Sequence, residues 1–186
     1  NQLIQKKQNG MIKIVTGLRR CGKSFLLFKL FYEKLISDGT PDSHIIKIPL
    51  DDLEYSELRE KISLYKFIKS KITDNKQYYC LLDEIQLVEG FEEVLNSLLH
   101  IQNLDVYVTG SNSRFLVKDV ITEFRGRGDE IRLYPLSFKE FFESRKDEFI
   151  SAWTDYYTYG GLPLVATMKN HKEKSDYLSN LFAKVY

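Results

Sequence analysis

Residues 17–24 read GLRRCGKS, directly after MIKIVT at residues 11–16. Gly17, Gly22, Lys23 and Ser24 stand at the fixed positions of G-x-x-x-x-G-K-[ST], the spacing of a phosphate-binding loop. Glycine at both ends lets successive backbone N–H groups turn inward around phosphate oxygens, where a side chain would obstruct. Lys23 brings a mobile cation to the β and γ phosphates, Ser24 offers a hydroxyl to Mg²⁺, and the positive end of the following helix adds to the attraction. Such a loop needs a strand before it and a helix after it. MIKIVT supplies the first and KSFLLFKLFYEKLI, apolar all round until Gly39 and Pro41, the second. The cofactor-binding candidates are therefore Gly17, Leu18, Arg19, Arg20, Cys21, Gly22, Lys23, Ser24 and Phe25. Arg19 and Arg20 flank the cradle, either against phosphate or as a solvated tip.

Outward from the loop, strand and helix patterns alternate. HIIKIPL (44–50) predicts a second strand, ended by Asp51 and Asp52. Leu58, Ile62, Tyr65, Ile68 and Ile72 predict a helix with one buried face. YYCLL (78–82) is a continuous apolar run, as in a central strand buried on both faces, and is closed by Asp83 and Glu84. Phe91, Val94, Leu95, Leu98 and Leu99 return to helical spacing before LDVYVT (104–109), a fourth strand ended by the loop TGSNS. EIRLY (130–134) predicts a fifth. Ser137 and Glu140 have capping-box spacing at the start of SFKEFFESRKDEF, read as one helix. After the break YGGLP, Tyr177, Leu178, Leu181, Phe182 and Val185 line a last helix. The alternation predicts a three-layer α/β domain with a mainly parallel five-stranded sheet over residues 1–136, then a small helical segment over 137–186.

Composition bounds the rest. With 186 residues, 43% hydrophobic, the chain can bury one sizeable core. Its 27 basic against 26 acidic residues give a formal charge of +1, which excludes a global field for nucleic acid or anionic lipid. Apolar runs are broken well before 18 residues, so no membrane span is expected and a cytoplasmic protein is. Cys21 and Cys80 read as reduced thiols, and His44, His100 and His171 have no ligand spacing. The chain starts at Asn1 and ends inside a periodic segment, which reads as a piece of a longer protein.

Hydrolysis of a bound triphosphate needs a group for the metal and another for water. Asp83, at the end of the apolar strand, is the candidate for Mg²⁺ together with Ser24, and Glu84 for taking a proton from water. Ser111 or Asn112 would reach the γ-phosphate if the fourth strand lies between the first and third, a simple turn being the other reading. Arg125 or Arg127 is the candidate arginine finger, or else part of a solvated basic loop.

With GLRRCGKS, LLDEIQ, VTGSNS, LYPLSFKEF and YGGLP in this order, the chain resembles the AAA+ superfamily of P-loop ATPases. The likeness is to a prokaryotic group whose core precedes a C-terminal domain of unknown function. It spans about residues 11–165 and implies sheet order 5-1-4-3-2, a winged-helix-like segment from near Ser137, and ATP with Mg²⁺ as ligands. It also implies Lys23 and Ser24 on phosphates and metal, Asp83 on the metal, Glu84 on water, a sensor in the TGSNS loop and a finger at Arg125 or Arg127, with Asn112 and Arg127 as the catalytic candidates carried forward. A C-terminal domain or a homo-oligomer would complete the site, and no protein or nucleic-acid partner is specified. The expected function is Mg²⁺-dependent ATP hydrolysis coupled to a conformational change. The alternatives are a nucleotide-gated binding module without turnover and a P-loop small-molecule kinase.

Overall fold

The computed structural model describes residues 2–110, 126–145 and 148–185. Five strands form one sheet: β1 Ile12–Gly17, β2 Ile45–Pro49, β3 Tyr78–Asp83, β4 Leu104–Thr109 and β5 Gly128–Leu133. Their order is β2-β3-β4-β1-β5 and every pairing is parallel. This is the expected order 5-1-4-3-2 read from the other edge. β1, buried from Ile12 to Thr16, is flanked on both sides, so the loop after Gly17 leaves from the interior of the sheet.

Because side chains alternate faces along a strand, the sheet divides two cores. Ile12, Ile14, Ile46, Ile48, Cys80, Leu82, Val106 and Val108 pack with α3 (Lys61–Lys71) and α4 (Phe91–Leu98) through Leu64, Ile68, Val94, Leu95 and Leu98. On the other face Val15, Ile45, Tyr79, Leu81, Tyr107 and Ile131 meet Leu3 of α1 (Gln2–Gln5) and Leu27, Phe31 and Leu35. Those last three belong to the helix after the loop, α2, which runs without a break through Lys23–Phe25, a π-helical stretch Leu26–Phe31, and Tyr32–Ser37. Cys80 is wholly buried and its thiol is pushed far up by burial, which makes it inert; Cys21 is also buried and is in no disulfide.

One buried polar group has no counterpart in the sequence reading. Lys13 of β1 pairs with Asp105 of β4, the two side chains being 0% and 4% exposed. The Tyr107 hydroxyl (2.8 Å) and the Gln8 N–H (2.9 Å) also donate to the same carboxylate, and these hydrogen bonds are what make burying the pair tolerable.

Several boundaries move for local reasons. α3 begins at Lys61 rather than near Leu58, because the Glu60 carboxylate accepts from the Ile62 and Ser63 N–H groups at 3.0 and 2.6 Å; Leu53–Arg59 is 3₁₀-helical. β5 begins at Gly128 rather than Glu130, since the Ile12 N–H donates to the Arg127 carbonyl and Asp129 is held by Lys6 and Asn9. At the free edge β2 donates toward β3 through alternate residues ending at Leu50, which bonds the Asp83 carbonyl at 3.2 Å. Pro49 therefore faces outward at the position where it has no N–H to offer.

Two compact units emerge: residues 1–17 with 23–133, and 18–22 with 134–186. Among its described residues the second holds helices and no strand. The capping box is present, with the Ser137 N–H donating to Glu140 at 2.8 Å and the Glu140 N–H to Ser137 at 3.3 Å. The expected single helix SFKEFFESRKDEF is instead two, α5 (Phe138–Glu143) and α6 (Phe149–Tyr159). Arg145 reaches back to Asp155 at 2.6 Å, and Phe138 stacks with Phe142 and meets Phe149, Trp153 and Tyr156 edge-on, so the chain folds back on itself. α7 (Pro163–Thr167) and α8 (His171–Val185) follow. Gly161 is required where it stands, because a Cβ there would lie 2.1 Å from the Leu136 carbonyl oxygen. Among the described residues no helix is long and apolar enough to cross a membrane.

Candidate active site

The loop turns at Gly22, whose φ of +96° suits glycine, and Arg20 takes the left-handed conformation at φ +68°. Lys23, 6% exposed, bends back across the loop and donates from Nζ to the Gly17 carbonyl at 3.1 Å. Incoming phosphate oxygens would compete for that proton donor. Arg19, Arg20, Ser24 and Phe25 are exposed, as is Leu18, while Cys21 is buried. The loop tip Leu18–Gly22 groups with the second unit, which also contains an apolar cavity of about 430 Å³ lined by Leu18, Tyr159, Leu162 and Phe182 among others.

β4 lies between β1 and β3, as the sensor reading required, so the ends of these three strands converge. At that convergence the Asp83 carboxylate accepts from the Ser24 hydroxyl and from the Thr109 hydroxyl. Burial pushes the Asp83 carboxyl above the usual carboxylate range; its bonds from Ser24 and Thr109 pull down, and the charges of Glu84 and Asp51 add to the rise. Glu84 is left-handed (φ 54°, ψ 48°), a strained conformation for a residue with a Cβ. Its N–H donates to Thr109 Oγ1 at 3.2 Å, and its carboxylate accepts from Gln86 Nε2.

The structure thus brings Gly17, Lys23, Ser24, Asp83 and Glu84 to one edge of the sheet. Arg127 stands at the opposite edge: its carbonyl accepts from the Ile12 N–H at 2.9 Å. Gly17 is five residues further along β1, roughly 16 Å at the rise of a parallel strand. Ser111, Asn112 and Arg125 lie outside the described residues. Thr109 and Gln86 were not singled out in the sequence. Thr109 closes the strand LDVYVT and opens the TGSNS motif, where the sensor reading fell on Ser111 or Asn112 instead.

A hydroxyl beside a carboxylate, as in Ser24 and Asp83, is the oxygen donor set of a hard divalent cation. Among the described residues no three His, Cys, Asp or Glu gather to hold a metal unaided, so phosphate oxygens and water would complete such a shell.

A family model described as an AAA domain matches residues 9–142. The chain belongs to this AAA domain family. An uncharacterised protein of Haemophilus influenzae is 34% identical over 190 residues, covering 99% of this chain and 47% of its own. An uncharacterised protein of Methanocaldococcus jannaschii is 27% identical, covering 94% of this chain and 41% of its own. The chain thus spans less than half the length of the curated relatives it matches. Among solved structures, PCH-2 of C. elegans aligns with a TM-score of 0.52 at 15% identity, over 77% of this chain and 39% of that one. The likeness supports the AAA+ arrangement of the sheet. The AAA domain here has a nucleotide-binding, ATPase-like fold.

Proposed function

We propose that this AAA domain binds ATP with Mg²⁺ and hydrolyses it, and that hydrolysis drives a conformational change in an attached domain or partner. One observation carries the reading: Ser24, Asp83, Thr109 and Glu84 are joined by hydrogen bonds at the strand ends beside Lys23. In this reading the loop N–H groups cradle the phosphates and Lys23 exchanges the Gly17 carbonyl for phosphate oxygens. Ser24 and Asp83 hold Mg²⁺, which when bound neutralises charge shared between the β and γ phosphates. Glu84 accepts the proton of the attacking water at its carboxylate. Asn112 is assigned to the γ-phosphate as sensor, and residues 1–136 and 137–186 to the core and a small accessory domain.

The position of Arg127 gives its assignment a direction. From the far edge of the sheet it cannot serve the loop of its own chain, so as a finger it would act on a second copy. The reading without turnover draws on a different contact, the occupation of the Glu84 carboxylate by Gln86. Steady-state phosphate release from Mg²⁺-ATP over a series of protein concentrations, beside Glu84→Gln, separates the two. Release that requires Glu84 and rises more steeply than linearly with protein supports the ATPase. Tight binding with no release from either protein supports the binding module.

A further inference from the structure

We infer that Thr109 is a positioning residue of this site, whose single hydroxyl sets the metal-binding carboxylate and the water-activating glutamate relative to each other. The inference rests on the ATPase reading above. It starts from topology: β4 is inserted between the loop strand β1 and the acid strand β3, so its last residue falls among the three ends that make the site. Thr109 is 0% exposed there.

A hydroxyl has one proton and two lone pairs. In Thr109 the proton goes to Asp83 Oδ1 and a lone pair receives the Glu84 N–H at 3.2 Å. A backbone N–H can only donate and an ionised carboxylate can only accept, and a hydroxyl is able to serve both at once. Asp83 and Glu84 are neighbours in sequence, yet the left-handed turn at Glu84 separates their side chains. A non-glycine residue persists in that conformation when its surroundings over-determine it. Three contacts do so: Thr109 on the Glu84 N–H, Gln86 Nε2 on the carboxylate, and the Leu87 N–H on the Glu84 carbonyl at 3.0 Å. Of these, Thr109 also bonds Asp83. The hydroxyl therefore links the metal carboxylate to the backbone that aims Glu84, without itself facing a reactant.

Thr109→Val keeps the shape and removes both bonds; Thr109→Ser keeps both bonds and removes a methyl group. The test measures kcat and KM for phosphate release from Mg²⁺-ATP, and melting temperature, in wild type and both variants. Thr109→Val is expected to lose about a hundredfold in kcat, the scale of a misaimed catalytic group, with KM for ATP changed by less than about threefold. Thr109→Ser restores turnover. If Thr109→Val does not fold, Thr109→Ala replaces it with the same expectation. Turnover unchanged in the valine or alanine variant overturns the inference, as does a serine variant that fails equally, which would assign the effect to packing. A wild type whose phosphate release does not depend on Glu84 sinks the ATPase reading and this inference together. A working wild type beside an equally working valine variant sinks this inference alone.

Discussion

Asp83 is kept in a place that does not suit its charge. Burial raises its pKa in the fold despite the bonds from Ser24 and Thr109. The ionised form therefore weighs against folding above the raised value, and the penalty disappears below the unfolded value of about 3.9. Asp83→Asn should melt higher than wild type near neutral pH, the advantage fading as pH falls toward 4, while the Mg²⁺-dependent part of ATP affinity is lost. Thermal melts over pH and calorimetric titration with and without Mg²⁺ check both halves; an asparagine variant that melts lower at neutral pH contradicts the burial argument. At this scale the sequence was readable where spacing is local. Gly17, Gly22, Lys23 and Ser24 announce themselves within eight residues, and Asp83 with Glu84 ends an apolar run. Thr109 does not, because its role comes from which strands β4 separates, a relation between residues 26 positions apart.

Strands were legible because a parallel strand covered on both faces reads as a near-continuous apolar run, as YYCLL does. Helix boundaries depended on side chains reaching the backbone or a distant partner: Glu60 starts α3, and the pull of Arg145 on Asp155 divides α5 from α6. The π-helical stretch in α2 left no mark in a sequence apolar on all sides. Asp155 joins two of these helices to a third, because Lys174 of α8, 2% exposed, pairs with the same carboxylate oxygen as Arg145. Burial pushes Asp155 up, but the bonds from Lys174 and Arg145 outweigh it and its pKa is lowered. Its contribution to stability is thus present above the unfolded value of about 3.9 and lost as pH falls through the depressed one. Asp155→Asn should cost about 3 kcal/mol at neutral pH by leaving Lys174 unpaired. The gap to wild type should close in acid. Denaturant melts at pH 7 and pH 3 measure it, and a gap equal at both would refute the charge argument.

For the molecule as a whole, the sheet separates two ends with different chemistry, the loop and acids at one edge and Arg127 at the other. If Arg127 serves a second copy, two dead variants should complement each other. Glu84→Gln keeps the arginine and loses the base; Arg127→Ala keeps the base and loses the arginine. Mixed at equal concentration, they should release more phosphate from Mg²⁺-ATP than the sum of the two alone. A mixture no better than that sum would remove Arg127 from the site altogether.

How copies could meet is narrowed by the outer strand β2. An uncovered strand edge invites another strand to continue the sheet, but at Pro49 the outward position has no hydrogen to give. Lys47, also outward, carries a cation held 3.6 Å over the Tyr32 ring. A growing ribbon of chains would have to leave one rung of its ladder unmade and crowd a charge beside it. Continuation of the sheet by strand addition, the route to fibres, is thus opposed on the β2 side by two residues, one that withholds a donor and one that adds a charge.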